Sequence, residues 1–134
     1  MNATRALIQR YFDAFNGQDA DVMLECLTED VCHDVNQGPR RVGIAAFREF
    51  CEHMSRCYRE QLSDLSILVS EDGKRASAEF IVFGEYRETD DGLPPAQGQT
   101  YQLPAGSFFE IRGDRISRVT TYYNLQDWLE QVGT

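Results

Sequence analysis

The sequence predicts one α+β domain spanning residues 1–134, with three helices ahead of a strongly curved antiparallel sheet that encloses a conical pocket. Three observations carry that expectation. Apolar residues recur at helical spacing over residues 3–56, apart from one short β-prone run. From Tyr58 to Tyr123 the pattern changes to alternation with period two, broken by turn residues. No internal repeat, low-complexity segment or shift in composition divides the 134 residues. Helices first and strands after is the signature of segregated α+β layers. The predicted order is α-α-β-(β)-α-β-β-β-β-α.

Residues 3–16 form an amphipathic helix, because Leu7, Ile8, Tyr11, Phe12 and Phe15 fall on one wide face. Asn16-Gly17 ends it, with Gly17 expected as the left-handed cap. Asp19 is placed to cap a second, short helix whose inner side is Val22, Met23, Cys26 and Leu27. A third helix runs over 44–56 on the stripe Ile44, Phe47, Cys51 and Met54, widened by Phe50. Leu65, Ile67 and Val69 then alternate up to Glu71-Asp72-Gly73-Lys74, a hairpin turn. The return strand, 75–88, places Ala76, Ala78, Phe80, Val82, Gly84 and Tyr86 on one face and Glu79, Ile81 and Phe83 on the other. Residues 89–98 carry acids, prolines and glycines without periodicity and read as a mobile cover. A strand over 99–112 contains Pro104, which predicts a bulge or an edge there. A last strand, 115–123, leads into a short helix bearing Leu125, Trp128, Leu129 and Val132.

Composition removes several function classes. A net charge of −9 opposes binding to nucleic acid or to an anionic membrane surface, both of which need basic patches. No apolar run approaches the ~20 residues that span a bilayer. The first residues lack the apolar core of an export signal, so a cytoplasmic location is the default expectation. Cys26, Cys32, Cys51 and Cys57 show no C-x-x-C pairing and are read as reduced small hydrophobes. His33 and His53 lie on separate elements, so no metal is expected, and nothing in the sequence calls for an organic cofactor.

Chemistry concentrates in the run Asp30–Gly43, where His33, Asp34 and Asn36 interrupt an apolar strand ahead of a turn at Asn36-Gln37-Gly38-Pro39. Alternation gives Asp34 and Asn36 one face and His33 the other. If the Asp34 face is the inner one, burial should raise the carboxyl toward a useful general base; if not, His33 faces the cavity. Tyr58 at a helix-to-strand junction, Glu79, Tyr101, and Tyr122 or Tyr123 with Asn124 are further candidates to line the pocket, as is Phe15 from the first helix.

Ile8-Gln9-Arg10-Tyr11, Phe15-Asn16-Gly17-Gln18-Asp19, Asp30 to Asp34, Gly43 to Phe50 and Phe108 to Gly113 together resemble the nuclear-transport-factor-2-like superfamily. Within it the ketosteroid-isomerase and SnoaL-like polyketide-cyclase branch is most similar, over nearly the whole chain. That resemblance implies a curved sheet and three helices around a conical pocket, often dimeric through the outer sheet face. In ketosteroid isomerases an aspartate takes a proton beside a carbonyl while a tyrosine and a protonated aspartic acid hold the oxyanion. Carried over by motif, Tyr11 falls on the tyrosine and Asp34 (or Val35, one residue on) falls on the base. Ser107 stands where the second acid would be. A serine donates a hydrogen bond without a carboxylic acid's acidity, which departs from the steroid-isomerase pattern.

The expected function is a cofactor-free enzyme that moves a proton beside a carbonyl of an apolar small molecule, as an isomerase or a cyclase. Asp34 would be the base, with Tyr11 and Ser107 as oxyanion donors. A non-catalytic ligand-binding module and a dimeric interaction domain are the rival classes. A homodimer through Ile81, Phe83 and their neighbours is expected in any of them.

Overall fold

The structure is a computed structural model and describes residues 2–133. Helix α1 spans Asn2–Asn16 and α2 spans Ala20–Glu25, followed by strand β1, Leu27–Val35, and the short β2, Arg41–Val42. Helix α3 spans Ile44–Cys57. Strands β3 (Tyr58–Val69), β4 (Arg75–Tyr86), β5 (Thr100–Arg112) and β6 (Arg115–Tyr123) follow, and α4 (Leu125–Val132) closes the chain. They form one sheet in the order β2-β1-β6-β5-β4-β3. All neighbours are antiparallel except β1 with β6, which run parallel. The observed order is the predicted one, with α3 following β1 and β2 and preceding the four long strands.

The predicted alternation decides which face is covered. Ala76, Ala78, Phe80, Val82 and Tyr86 of β4 are buried, as are Tyr101, Leu103, Ala105, Ser107 and Phe109 of β5. Helix α1 lays its aromatic stripe on this concave face. Phe12 meets Phe80 at 5.4 Å and Phe109 at 5.8 Å between ring centres, and Tyr11 meets Phe109 edge-on at 5.8 Å. Aromatic pairs of this kind add about 0.5–1.5 kcal/mol beyond their area.

Both ends of α1 are tied down. The Thr4 hydroxyl donates to the Gly73 carbonyl at 2.7 Å. At the other end the Asn16 amide donates to the Leu62 carbonyl, while its oxygen accepts from the Leu62 N–H at 2.8 Å. Asn16 thereby satisfies backbone groups of β3, an edge strand, beside a bulge at Ser63/Ser66 where Asp64 has φ 54°. The left-handed residue after α1 is Gln18 (φ 57°) and not Gly17. Asp19 caps α2 as expected, accepting from the Val22 N–H.

Pro104 produces no bulge, and β4 pairs straight through it at Ile81. Strand β6 ends at Tyr123 opposite Ala105, so Pro104 already lies beyond its partner on that side. The 87–98 loop is not free either. The Tyr86 hydroxyl accepts from the Asp90 N–H at 2.9 Å and donates to the Pro94 carbonyl at 2.7 Å, which folds the loop back onto the sheet end.

Candidate active site

Register separates the expected site residues by face. His33 stands opposite Val119, and Val119 opposite Phe109, so His33 belongs to the concave side. Asp34 stands opposite Thr120, and Thr120 opposite the exposed Phe108, so Asp34 belongs to the convex side. The expectation of a pocket base at Asp34 is therefore corrected. Its carboxylate accepts from the Arg40 guanidinium at 2.8 and 2.9 Å and from the Thr120 hydroxyl at 2.7 Å. The Arg40 hydrogen bonds dominate its titration and hold it down at about 2, where burial would have raised it. Arg118 bonds the same threonine and Glu110, extending this outer network along the sheet. The alternative position, Val35, faces inward but bears no titratable group.

The other expected residues divide as follows. Tyr11 is buried on the concave side, its hydroxyl pushed strongly toward the protonated form by burial. Ser107 is also buried there, its hydroxyl 2.7 Å from that of Thr121. Phe15 is half-buried against the core. His33 is enclosed by Phe47 and Phe50 at 4.3 and 4.7 Å, and its Nδ1 has no partner. Burial first, and the Arg41 charge second, lower it to about 4, so it is neutral at pH 7. Asn36 has φ 50° and accepts from the Tyr123 N–H at 2.9 Å, a turn-fixing role. Tyr58 is buried and stacks on Tyr86 at 5.4 Å.

Of the remaining pocket expectations Glu79 fails, whereas Tyr122 and Asn124 line an outer cleft with Asn36 and Tyr123 rather than the inside of the cone. Glu79 is exposed on the convex face of β4, out of phase with Ala78 and Phe80. Tyr122 is half-exposed beside Phe108 on that face, and Tyr123 takes the inward position. Asn124 is exposed and caps α4 by accepting from the Asp127 N–H at 3.1 Å.

The acid that does lie on the inner face is Glu60, which no sequence motif marks. It stands opposite Gly84 on β3, and Gly84 stands opposite Tyr101 on β5. The Tyr101 ring lies across Gly84: a Cβ there would meet its Cζ at 2.2 Å. Glycine leaves that space open, and the Tyr101 hydroxyl reaches across it to donate to Glu60 Oε2. Burial raises the Glu60 carboxyl, and the Tyr101 hydrogen bond opposes the rise without cancelling it. Tyr101 is itself held protonated, by burial first and then by the Glu60 charge.

Aromatic rings wall this acid. Trp128 of α4 lies edge-on to Tyr58, Tyr86 and Tyr101 at 6.1, 5.1 and 6.0 Å. The Tyr123 hydroxyl is raised by burial and by the charges of both Glu60 and Asp90. Tyr123 also walls a cleft of about 430 Å³ between the β1–β2 turn and α4, with Asn36, Leu125 and Leu129. The chemistry of this end is thus a half-buried acid, a tyrosine that fixes one of its oxygens, and a second phenol within the field of its charge. At the rim, Asp90 accepts from the Tyr58 hydroxyl at 2.7 Å and pairs with His53 Nε2 at 2.9 Å. His53, Cys57 and Asp90 are the described residues whose donor types and spacing suit a metal.

A curved, unclosed sheet with helices on its concave side and polar groups inside defines the nuclear-transport-factor-2-like class. Within that class the chain belongs to the SnoaL-like domain family, whose model matches residues 8–119. Crystal structures of candidate polyketide cyclases are similar over almost their full lengths. The one from Pseudomonas putida is 55% identical, covering 98% of each chain, with a TM-score of 0.95. The Silicibacter one is 54% identical, covering 100% of this chain and 98% of that one, at 0.97. The Xanthomonas campestris one is 52% identical, covering 97% and 96%, at 0.94. No curated protein matches the chain. No helix among the described residues is long and apolar enough to cross a membrane.

Proposed function

We propose that the protein is a cofactor-independent acid–base enzyme of the polyketide-cyclase type, acting on an apolar small molecule that carries carbonyl groups. The observation that carries the proposal is the Glu60–Tyr101 pair: a carboxyl raised by burial on the concave face, with one oxygen fixed by a phenol. Glu60 takes a proton from the carbon beside a carbonyl. The C–H electron pair moves onto the carbonyl as an enolate, which the Tyr123 hydroxyl steadies. Attack of the enolate carbon on a second carbonyl forms the new C–C bond, and the Glu60 proton goes to the resulting alkoxide. Tyr11 and Ser107 supply hydroxyl groups farther inside. Ser107 lies six residues from Tyr101 on β5, about 20 Å along the strand, which suits an elongated substrate. The names of the 52–55% identical structures support the cyclase class.

A second reading, a ligand carrier without turnover, draws on the packing of Tyr58, Tyr86, Tyr101 and Trp128 at one end of the cone. Solvent deuterium incorporation separates the two. A panel of linear and partly cyclised polyketide esters is incubated with wild type and with Glu60→Gln, and exchange beside the carbonyl is followed by NMR. Exchange by wild type that is lost in Glu60→Gln supports the enzyme. Binding without exchange by wild type leaves the carrier.

The same proposal includes a homodimer. Leu68, Phe83, Phe108 and Tyr122 are exposed on the convex face, which the helices leave uncovered. Sedimentation as a monomer at micromolar concentration would remove that part.

A further inference from the structure

We propose that His53, Cys57 and Asp90 form a three-donor site for a zinc-class divalent cation, which pins the 87–98 loop to the end of α3. The site lies outside the acid–base pair of Glu60 and Tyr101 and does not depend on its role.

His53 and Cys57 are four residues apart in the last turn of α3, so both side chains face the same way. Asp90 arrives from the loop, and one donor atom from each of the three residues lies within 4.8 Å of the others. His53 Nε2 and Asp90 Oδ1 are already 2.9 Å apart, close to the ~3.3 Å between neighbouring ligands that bonds of about 2.0–2.1 Å give at a tetrahedral ion. The sulfur has farther to come, within the 4.8 Å that bounds the three donors.

The surroundings are built to hold the donors. The Tyr58 hydroxyl donates to Asp90 Oδ2 at 2.7 Å, so Oδ1 is the oxygen turned to His53, and Tyr58 is locked by its stack on Tyr86. Orientation of a ligating carboxylate by such an outer hydrogen bond is the usual support of a metal site. The Tyr86 hydroxyl fixes the Asp90 backbone. The Cys57 carbonyl accepts from the N–H groups of Arg87 and Glu88 at 2.7 and 3.2 Å, so the helix end and the loop start are stitched together. Glu88 and Asp91 place two further negative charges near Cys57, against one positive charge from Arg56.

An imidazole, a thiolate and a carboxylate select a borderline ion such as Zn²⁺ over Mg²⁺ or Ca²⁺, which take oxygen ligands. On binding, the ion replaces the Cys57 thiol proton, which is released to solvent, and takes Nε2 of the neutral His53 ring, whose proton then sits on Nδ1. Three protein ligands leave the fourth position to water.

The test uses the full chain, stripped with chelator and titrated with Co²⁺ and then Zn²⁺. The expected result is one equivalent of Co²⁺ per chain, with a thiolate-to-cobalt charge-transfer band in the near ultraviolet and intense tetrahedral bands in the visible. Zn²⁺ displaces it. Cys57→Ser removes the charge-transfer band, and Tyr58→Phe weakens binding by about 10–100-fold. Because Cys57 is buried and its variant can lose stability, His53→Gln at a more exposed position is the second arm, expected to lose the tetrahedral spectrum in a folded protein. Weak octahedral bands in wild type, a band that survives Cys57→Ser, or tetrahedral bands that survive His53→Gln would each overturn the site.

Discussion

Two carboxylates on the same sheet, Asp34 and Glu60, are driven in opposite directions, and the face each occupies is the reason. Asp34 lies on the convex side with two hydrogen bonds from a guanidinium and one from a hydroxyl, and sits at about 2. Glu60 lies on the concave side with one hydrogen bond from a neutral phenol, and is raised. A cation beside a carboxylate stabilises its charge; burial without a cation destabilises it. The inner acid is thus poised to exchange protons, whereas the outer one is a fixed anion in a surface network. Strand position relative to a motif does not separate the two, but the parity of the strand does.

The contrast can be broken or sharpened by substitution. Glu60→Gln should lower turnover by about 10²–10⁴-fold, the usual span for one general base, with ligand affinity retained; steady-state kinetics beside calorimetric binding checks it. For the wild type, kcat/KM should rise with pH through a value above the ordinary 4.5. Tyr101→Phe, which releases the oriented oxygen of the base, should cost about 10²-fold. Gly84→Ala should act the same way at a distance, because its Cβ meets the Tyr101 ring at 2.2 Å. Displacing that ring should also destabilise the fold by about 1–3 kcal/mol in a denaturant titration.

The buried imidazole gives a third, intermediate effect. His33 falls from 6.5 to about 4 on folding, so between those values the unfolded chain binds the extra proton. Stability should therefore be full above pH 6.5 and fall by about 3 kcal/mol as the pH drops toward 4, with no further loss from this group below that. His33→Leu should flatten this part of the pH–stability curve. Asp34→Asn should do least: turnover unchanged, and a loss of about 1 kcal/mol at neutral pH, small because Arg40 is largely in solvent. The Asp34 contribution should be present above pH 3.8 and fade as the pH falls through about 2. A large loss of turnover in Asp34→Asn would return the base to the convex side and dissolve the comparison.

The fold was legible because two periods of apolar residues assign every long element, and the same alternation placed Ala76 to Tyr86 on the covered face. Local chemistry was less legible where backbone geometry decides. Gln18 rather than Gly17 takes the left-handed position, and the end of β6, not a bulge, accommodates Pro104. The site was harder still. Alternation states that Asp34 and His33 are on opposite faces, but the choice of inner face depends on the parallel pairing of β1 with β6, residues 27–35 with 116–121. Glu60 sits in Tyr58-Arg59-Glu60-Gln61, a polar run with no motif. Its one available signal was Gly84, a glycine interrupting an apolar strand face, which marks close approach of a neighbour. The Asp90–His53 contact joins residues 37 apart through a loop without periodicity, beyond what spacing can show.

The most direct test of the account is a carbon-detected NMR titration of the side-chain carboxyls in the folded protein, assigned through Glu60→Gln and Asp34→Asn. Glu60 should titrate above 4.5 and Asp34 near 2, with the Glu60 midpoint moving further up in Tyr101→Phe as its stabilising hydrogen bond is lost. A Glu60 midpoint at or below 4.5, or an Asp34 midpoint above it, would contradict the assignment of the base to the concave face.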